Sequence, residues 1–180
     1  MNDKIIAIDV GHARGTGARG NGLKEHEVCA EIAEYLSMEI QAKGLQALVV
    51  DYPGKTNAGD LAETVRAVNA SGAVLCVSLH CDASDNALAK GAHVIYTSEA
   101  GGRCAGYIAK HLCSFFPGRA NKTVKRGNLY VLNNTRCVAV LCECGFLTNP
   151  DDASRLATAE GKRSVARRIA VGITEYLQTV

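Results

Sequence analysis

Three side chains that can bind a metal ion or transfer a proton, His12, His80 and Glu143, each follow a short apolar run. Such runs are typical of buried strands, so each polar side chain would lie at the carboxyl end of its strand. In an open α/β sheet that edge is where ligand sites form. Glu25 and Glu27, at the start of a predicted helix, offer a further carboxylate, and spacing alone does not choose between them. Two histidines and one carboxylate are a common ligand set of catalytic zinc.

Each candidate also has a purely structural interpretation. A histidine after a strand is commonly a hydrogen-bonded structural residue, and a glutamate in the first turn of a helix interacts favourably with the helix dipole. Glu143 is the more specific signal, because a carboxylate within the apolar segment 138–146 is costly to bury unless it is paired or functional. We expect either a structural ion pair or a general base whose pKa is raised by apolar surroundings. Asp9 and Asp82 are candidate acceptors for the second ring nitrogens of the two histidines.

Other potential motifs are weaker. His26, His93 and His111 have no partner at a useful spacing, and we interpret them as surface or structural residues. The glycine-rich segment 15–20 lacks both the Lys-Ser/Thr ending of a P-loop and the GxGxxG pattern of a dinucleotide site. A nucleotide-binding function is therefore disfavoured.

The segments that must position these side chains alternate between strand and helix patterns. The long glycine-rich loop 11–22 is the one unusual connection, and such loops are often functional. The order predicts an α/β fold: a single domain over residues 1–180, with a twisted, mainly parallel (mixed) central sheet of about six strands and helices on both faces. The expected strands are 4–9, 45–50, 73–79, 92–97, 129–132 and 137–142, and the expected helices are 25–43, 60–69, 102–116, 150–156 and 160–177.

The composition excludes several classes of protein. Apolar residues make up 47% of the chain and the formal net charge is +2, which gives no strong attraction to a polyanion, so we expect no nucleic-acid partner. Basic residues gather in 119–126 and 162–168, which we interpret as a solvated loop and a solvated helix face. No apolar run approaches the length of a membrane span. We expect a monomer.

The cysteines do not form the pattern of a disulfide framework. Most of the eight lie in apolar periodic stretches, where a free cysteine acts as a small hydrophobe, so a reducing setting is expected. Cys142 and Cys144 have alternate spacing rather than the CxxC spacing of a structural zinc site. The amino terminus runs into the first predicted strand without an apolar leader. We expect either synthesis in the cytoplasm or a domain of a longer exported protein.

Four segments resemble the motifs of one enzyme family. They are Asp9-Val10-Gly11-His12, Gly22-Leu23-Lys24-Glu25, Ser78-Leu79-His80-Cys81-Asp82-Ala83 and Cys142-Glu143-Cys144-Gly145-Phe146-Leu147-Thr148-Asn149-Pro150. The chain resembles, from Ile5 to Leu177, the zinc-dependent N-acetylmuramoyl-L-alanine amidases shared by bacterial autolysins and phage endolysins.

This resemblance implies a role for each candidate residue. His12, Glu25 and His80 would bind Zn²⁺, which favours Glu25 over Glu27, and Glu143 would be the catalytic carboxylate. The implied substrate is peptidoglycan, and the implied reaction hydrolyses the amide between N-acetylmuramic acid and the L-Ala of the stem peptide. The protein would then act on the cell wall, either released at lysis or as part of an exported protein.

The chain departs from the family pattern at three positions near the site. Val10 stands where the family usually has Pro, and Cys81 and Asp82 stand where it has Ala and Asn. These changes add a soft ligand and a negative charge close to the implied metal. Since all four key residues are retained, we expect activity.

Three alternatives remain open at this point. A zinc peptidase could cut within the stem peptide, and a non-catalytic wall-binding module could keep the same fold. A structural or nucleotide-binding α/β protein is the third, and it would need no metal. Retention of the four site residues argues against the non-catalytic module.

Overall fold

The structure is a computed structural model that describes residues 3–180, so Met1 and Asn2 of the amino-terminal segment lie outside the described residues. This part of the chain contains eight strands: β1 (Ile5–Val10), β2 (Arg19–Gly20), β3 (Leu23–Lys24), β4 (Gln46–Val50), β5 (Leu75–Asp82), β6 (His93–Tyr96), β7 (Thr123–Lys125) and β8 (Val138–Phe146). Six of them form the central sheet, in the order β4-β1-β5-β8-β6-β7, and β2 and β3 form a small antiparallel ribbon.

The central sheet is mixed and mainly parallel, as predicted. Strands β4, β1, β5 and β8 run parallel to their neighbours, whereas β6 is antiparallel to β8 and β7 is parallel to β6. The carboxyl ends of β1, β5 and β8 therefore meet at one edge of the sheet. Because β6 runs in the opposite direction, its first residue lies at that same edge.

Helices cover both faces of the sheet, as the element order predicts. They are α1 (Glu25–Ala42), α2 (Asn57–Ser71), α3 (Glu99–Phe115), α4 (Tyr130–Asn134), α5 (Pro150–Leu156) and α6 (Ala159–Leu177). On one face α1, α3 and α6 pack together through buried side chains such as Ile32, Ile108 and Ile169. On the other face α2 and α4 bury Val68 and Val131. Each such burial contributes ~1.5–3 kcal/mol before entropy costs, so both layers hold the sheet edge in place.

Several helix ends follow local sequence signals. Thr56 caps α2 by accepting a hydrogen bond from the backbone N–H of Gly59. The first helix was predicted to end at residue 43 and ends at Ala42, and Gly44 has the left-handed conformation (φ 74°) that favours glycine after a helix. The amino terminus of α1 has no side-chain cap. Its first side chain, Glu25, points into the sheet edge instead.

The predicted strand at residues 129–132 is wrong. A helix, α4, begins at Tyr130, and the outermost strand is β7, inside the basic stretch that was predicted to be a solvated loop. A four-residue apolar run carries no periodicity that separates a strand from a short helix, so packing decides. Val131 and Leu132 are buried against the sheet from the helical conformation.

The second basic stretch, residues 162–168, belongs to α6 and is not wholly solvated. Lys162 is buried, with its Nζ 2.6 Å from Glu31 Oε2.

All eight cysteines are free thiols, and all except Cys137 are buried. Among residues 3–180, no helix has the length and apolar character that crossing a membrane requires.

Candidate metal centre and active site

The sheet edge brings together residues that are far apart in sequence. His12 follows β1, while His80 and Glu143 lie near the ends of β5 and β8, where their Cα atoms are register partners. The register between β5 and β8 shifts after His80, so the pairing at Asp82 is displaced. Such irregularities re-aim side chains and are common beside functional sites.

Glu25 bridges the two imidazoles. Its Oε2 lies 3.1 Å from His12 Nε2, and its Oε1 lies 3.1 Å from His80 Nδ1. The two rings meet edge to face with their centroids 4.8 Å apart. Glu27 is exposed and pairs with Lys24 at 2.6 Å, away from the two histidines. Glu25 is thus the carboxylate that this geometry places in the cluster.

The glycine-rich loop and β5 fix Glu25 in place. Its carboxylate accepts backbone hydrogen bonds from Ala18 (2.6 Å) and Cys81 (3.0 Å). A Cβ atom on Gly17 would lie 2.9 Å from Glu25 Oε2, and one on Gly11 would lie 2.5 Å from His80 Cε1. The loop therefore needs glycine at both positions to approach the cluster so closely.

The donor set fits a zinc ion. Glu25 is 2% exposed; burial opposes its ionisation, but hydrogen bonds from His12 and His80 hold the pKa of Glu25 well below its ordinary value. One ligand atom each from His12, Glu25 and His80 can be chosen so that all lie within 4.8 Å of one another. Two imidazole nitrogens and one ionised carboxylate are a usual three-residue set for catalytic zinc, with one position left open.

His26 supports this cluster, and sequence reasoning missed it. His12 has a left-handed backbone (φ 65°), which is unusual for a non-glycine residue and is common at functional sites. His26 is buried, and its Nδ1 lies 2.7 Å from the carbonyl oxygen of His12. Since a carbonyl only accepts, His26 donates this bond and stabilises the strained turn. The ring's other nitrogen lies 3.5 Å from Asp51 Oδ1.

Glu143 has different surroundings from Glu25. Burial is the main cause that raises its pKa to about 7; attraction from His80 opposes this shift, and repulsion from Asp82 and Glu25 adds to it. Among residues 3–180 its Oε2 has no hydrogen-bond partner. The prediction of a raised pKa is consistent with this environment, and no ion pair of the described residues includes Glu143. A buried carboxylate with a free oxygen and a pKa near neutrality can both take up and release a proton.

Asp9 and Asp82, which were predicted to accept hydrogen bonds from the imidazoles of His12 and His80, contact other side chains instead. Asp9 accepts hydrogen bonds from Thr64 (2.9 Å) and Ser78 (2.5 Å), because its strand position directs it toward α2. Asp82 Oδ2 lies 3.3 Å from His93 Nδ1. The buried Cys81 thiol interacts with the Cys29 thiol rather than joining the histidine cluster, so no soft ligand is added there.

His93 belongs to the site, which sequence reasoning did not anticipate. It is 1% exposed, pairs in register with Glu143, and lies 3.2 Å through Nε2 from an Arg119 nitrogen. Burial lowers the pKa of His93 to about 4, with further contributions from Arg119 and Arg126. No sequence signal identified it, because its place at the edge depends on the antiparallel direction of β6.

Two cavities flank the sheet edge, one lined by acidic side chains and the other by basic side chains. A pocket of about 210 Å³ next to His12 and His80 contains the carboxylates of Asp9 and Asp60. Burial raises the pKa of Asp60 to about 6, with repulsion from Asp9 adding to the shift. A larger cleft of about 480 Å³ contains Lys90, Arg119 and Arg126.

Comparison with known proteins confirms the resemblance drawn from the motifs. The N-acetylmuramoyl-L-alanine amidase family model (Amidase_3) matches residues 6–175. The chain is 34% identical over 178 residues to the N-acetylmuramoyl-L-alanine amidase LytC of Bacillus subtilis, covering 96% of this chain and 35% of LytC. The chain therefore spans about a third of that relative's length.

Solved structures have the same fold. The amidase AmiC2 of Nostoc punctiforme is 27% identical with a TM-score of 0.84, and 97% of each chain is covered. The catalytic domain of the CD27L endolysin targeting Clostridia difficile is 29% identical with a TM-score of 0.86, covering 96% of this chain and 97% of that one. The similarity thus extends over nearly the whole of each compared chain.

Proposed function

The chain belongs to the N-acetylmuramoyl-L-alanine amidase family, and from that premise we propose that it is a zinc-dependent peptidoglycan amidase acting on the cell wall as a monomer. It would hydrolyse the amide between N-acetylmuramic acid and the L-Ala of the stem peptide. The observation that carries this proposal is the cluster of His12, Glu25 and His80, next to the Glu143 carboxylate on the adjoining strand.

His12, Glu25 and His80 would hold the zinc ion. When bound there, zinc supplies Lewis-acid polarisation for amide hydrolysis. The ionised Glu25 offsets the positive charge of the metal, and its backbone hydrogen bonds from Ala18 and Cys81 keep it oriented. His26 would keep the His12 turn in its strained conformation.

Glu143 would move the proton. In its ionised form it takes a proton from the attacking water as the water oxygen bonds to the carbonyl carbon. It then gives that proton to the amine of L-Ala as the carbon–nitrogen bond breaks. A pKa of about 7 suits both steps, because the protonated and ionised forms have similar populations at neutral pH.

Product analysis tests this function against the alternatives. Purified peptidoglycan treated with the zinc-loaded protein should release peptides that begin with L-Ala and leave intact muramic acid, and a chelator should stop the reaction. A peptidase acting within the stem peptide would free other amino termini. A wall-binding module would sediment with peptidoglycan and free no amino termini, which would contradict the proposal.

A further inference from the structure

The larger of the two cavities is a cleft beyond Glu143, formed by ordered segments of the fold. Strands β6 and β7 lie on the opposite side of β8 from the metal-binding strands, and the cleft is lined by residues 88–90 and 118–121 together with Val124 of β7 and Arg126. We call it the basic cleft. Its lining includes Lys90, Arg119, Asn121, Val124 and Arg126.

Close backbone packing holds the walls of the basic cleft together. A Cβ atom on Gly91 would lie 2.8 Å from the backbone nitrogen of Arg119, and one on Gly118 would lie 2.7 Å from Lys90 Cγ. Both glycines have positive φ, at 96° and 135°. The buried Asp152 fixes the first segment by accepting a hydrogen bond from the Gly91 N–H at 2.8 Å. The two segments that carry Lys90 and Arg119 are therefore held at a set separation.

The charges in the basic cleft are only partly neutralised. Lys90 pairs with Asp151 at 3.3 Å, but both side chains are largely exposed, and such pairs contribute little. Arg119 is 3.9 Å from Asp82 Oδ2. Arg126 is fixed by its backbone hydrogen bond to Tyr96, and no carboxylate of residues 3–180 pairs with its guanidinium. The cleft therefore presents at least one unpaired guanidinium to a ligand.

A short chain of contacts connects the basic cleft to the catalytic carboxylate. Arg119 contacts His93, and His93 lies opposite Glu143 across the β6–β8 pairing. A substrate whose scissile amide lies at Glu143 would therefore extend one of its sides past His93 into the cleft. The other side of the edge, with Asp9 and Asp60, is acidic and would repel an anion.

Resting on the proposed function, we infer that the basic cleft binds a carboxylate of the stem peptide and that Arg126 is its main determinant of specificity. A guanidinium binds a carboxylate with two parallel hydrogen bonds, which a carboxamide cannot reproduce. The peptide would then lie toward β6 and β7, with the muramic acid on the side of the metal cluster. The enzyme would discriminate between stem peptides that differ only in amidation.

Two synthetic muropeptides test the inference. Both contain N-acetylmuramic acid joined to L-Ala, and they carry either a free carboxylate or a carboxamide on the residue after L-Ala. We expect the zinc-loaded protein to prefer the carboxylate form by roughly tenfold in kcat/KM. Arg126→Gln should remove this preference through a higher KM with little change in kcat, and Lys90→Gln should reduce it less. Lys125→Gln, the same charge change on the preceding residue at the end of β7, should keep it.

The outcomes separate the two proposals. Equal kcat/KM for both muropeptides in the unmodified protein, or an equal loss on both in Arg126→Gln, would overturn the cleft assignment while leaving the amidase function intact. If neither muropeptide is hydrolysed, the proposed function fails. In that case calorimetric titration of the zinc-loaded protein still decides on the cleft: tighter binding of the carboxylate form, lost in Arg126→Gln, supports it, and equal binding overturns it.

Discussion

Glu25 and Glu143, the two glutamates at the sheet edge, lie on neighbouring parts of the site but have different electrostatic surroundings. Glu25 lies between two imidazoles and two backbone N–H groups, which hold its pKa low despite burial. Glu143 has no hydrogen-bond donor at its Oε2 within residues 3–180, and burial raises its pKa to about 7 despite attraction from His80. Pairs of titratable groups whose environments move their pKa values apart commonly divide ligand and proton-transfer roles. Burial alone therefore does not set the chemistry of a carboxylate; its hydrogen-bond donors do.

Removing a histidine that contacts Glu25 should have the largest effect on zinc binding and hydrolysis. His80→Ala deletes one of three proposed ligands, so we expect the purified protein to lose stoichiometric zinc and its hydrolysis of peptidoglycan together. Elemental analysis and product mass check this. His111→Ala removes a histidine that pairs with Glu175 on α6 and should retain both properties. Stoichiometric zinc in His80→Ala would refute the ligand set.

Changing the other glutamate should separate metal binding from turnover. Glu143→Gln keeps the shape of the side chain but cannot accept the proton, so kcat should fall roughly a hundredfold to ten-thousandfold while zinc content stays normal. Glu27→Gln, at an exposed residue in the first turn of α1, is the matched control and should be unaffected. Near-normal hydrolysis by Glu143→Gln would show that the base is elsewhere.

A smaller effect should follow from removing His26, the residue that supports the turn at His12. His26→Leu removes the hydrogen bond to the His12 carbonyl, and losses of this kind typically weaken metal affinity roughly tenfold to a hundredfold. A competition titration with a zinc chelator measures the affinity, and circular dichroism verifies the fold. If His26→Leu binds zinc as tightly as the unmodified protein, the turn at His12 does not depend on this bond.

The sequence determined much of this site because its signals are local. Apolar runs that end in His12, His80 and Glu143 predict strand ends, and parallel strands place those ends together. The choice between Glu25 and Glu27 needed the family resemblance, since both lie in the first turn of α1. The direction in which Glu25 points depends on hydrogen bonds from the loop at Ala18 and from the distant residue Cys81, which no local pattern contains.

Other parts of the edge depend on pairing that is not local. His93 reaches Glu143 only because β6 runs antiparallel to β8, and strand direction cannot be read from an apolar run. The same limit explains the wrong strand at residues 129–132, where a short apolar segment packs as a helix. The basic stretch that was predicted to be a solvated loop instead supplies β7 and Arg126.

The smallest expected effect concerns stability, and it tests the contrast between the two glutamates directly in metal-free protein. A raised folded-state pKa means that the native protein keeps a proton on Glu143 that the unfolded chain releases, so stability falls as pH rises from about 4.5 to about 7. Glu143→Gln removes this penalty. Its free energy of unfolding, relative to that of the unmodified protein, should therefore be higher at pH 8 than at pH 5 by on the order of 1–3 kcal/mol.

Glu25→Gln should show the opposite sign. Its lowered pKa stabilises the fold above the ordinary carboxyl pKa, so the variant should be less stable at pH 6, and the difference should narrow as pH falls below about 4.5. Urea unfolding of both variants across this range provides the measurement. Parallel pH dependences for the two variants would mean that Glu25 and Glu143 share one environment, which would remove the basis for assigning them different roles.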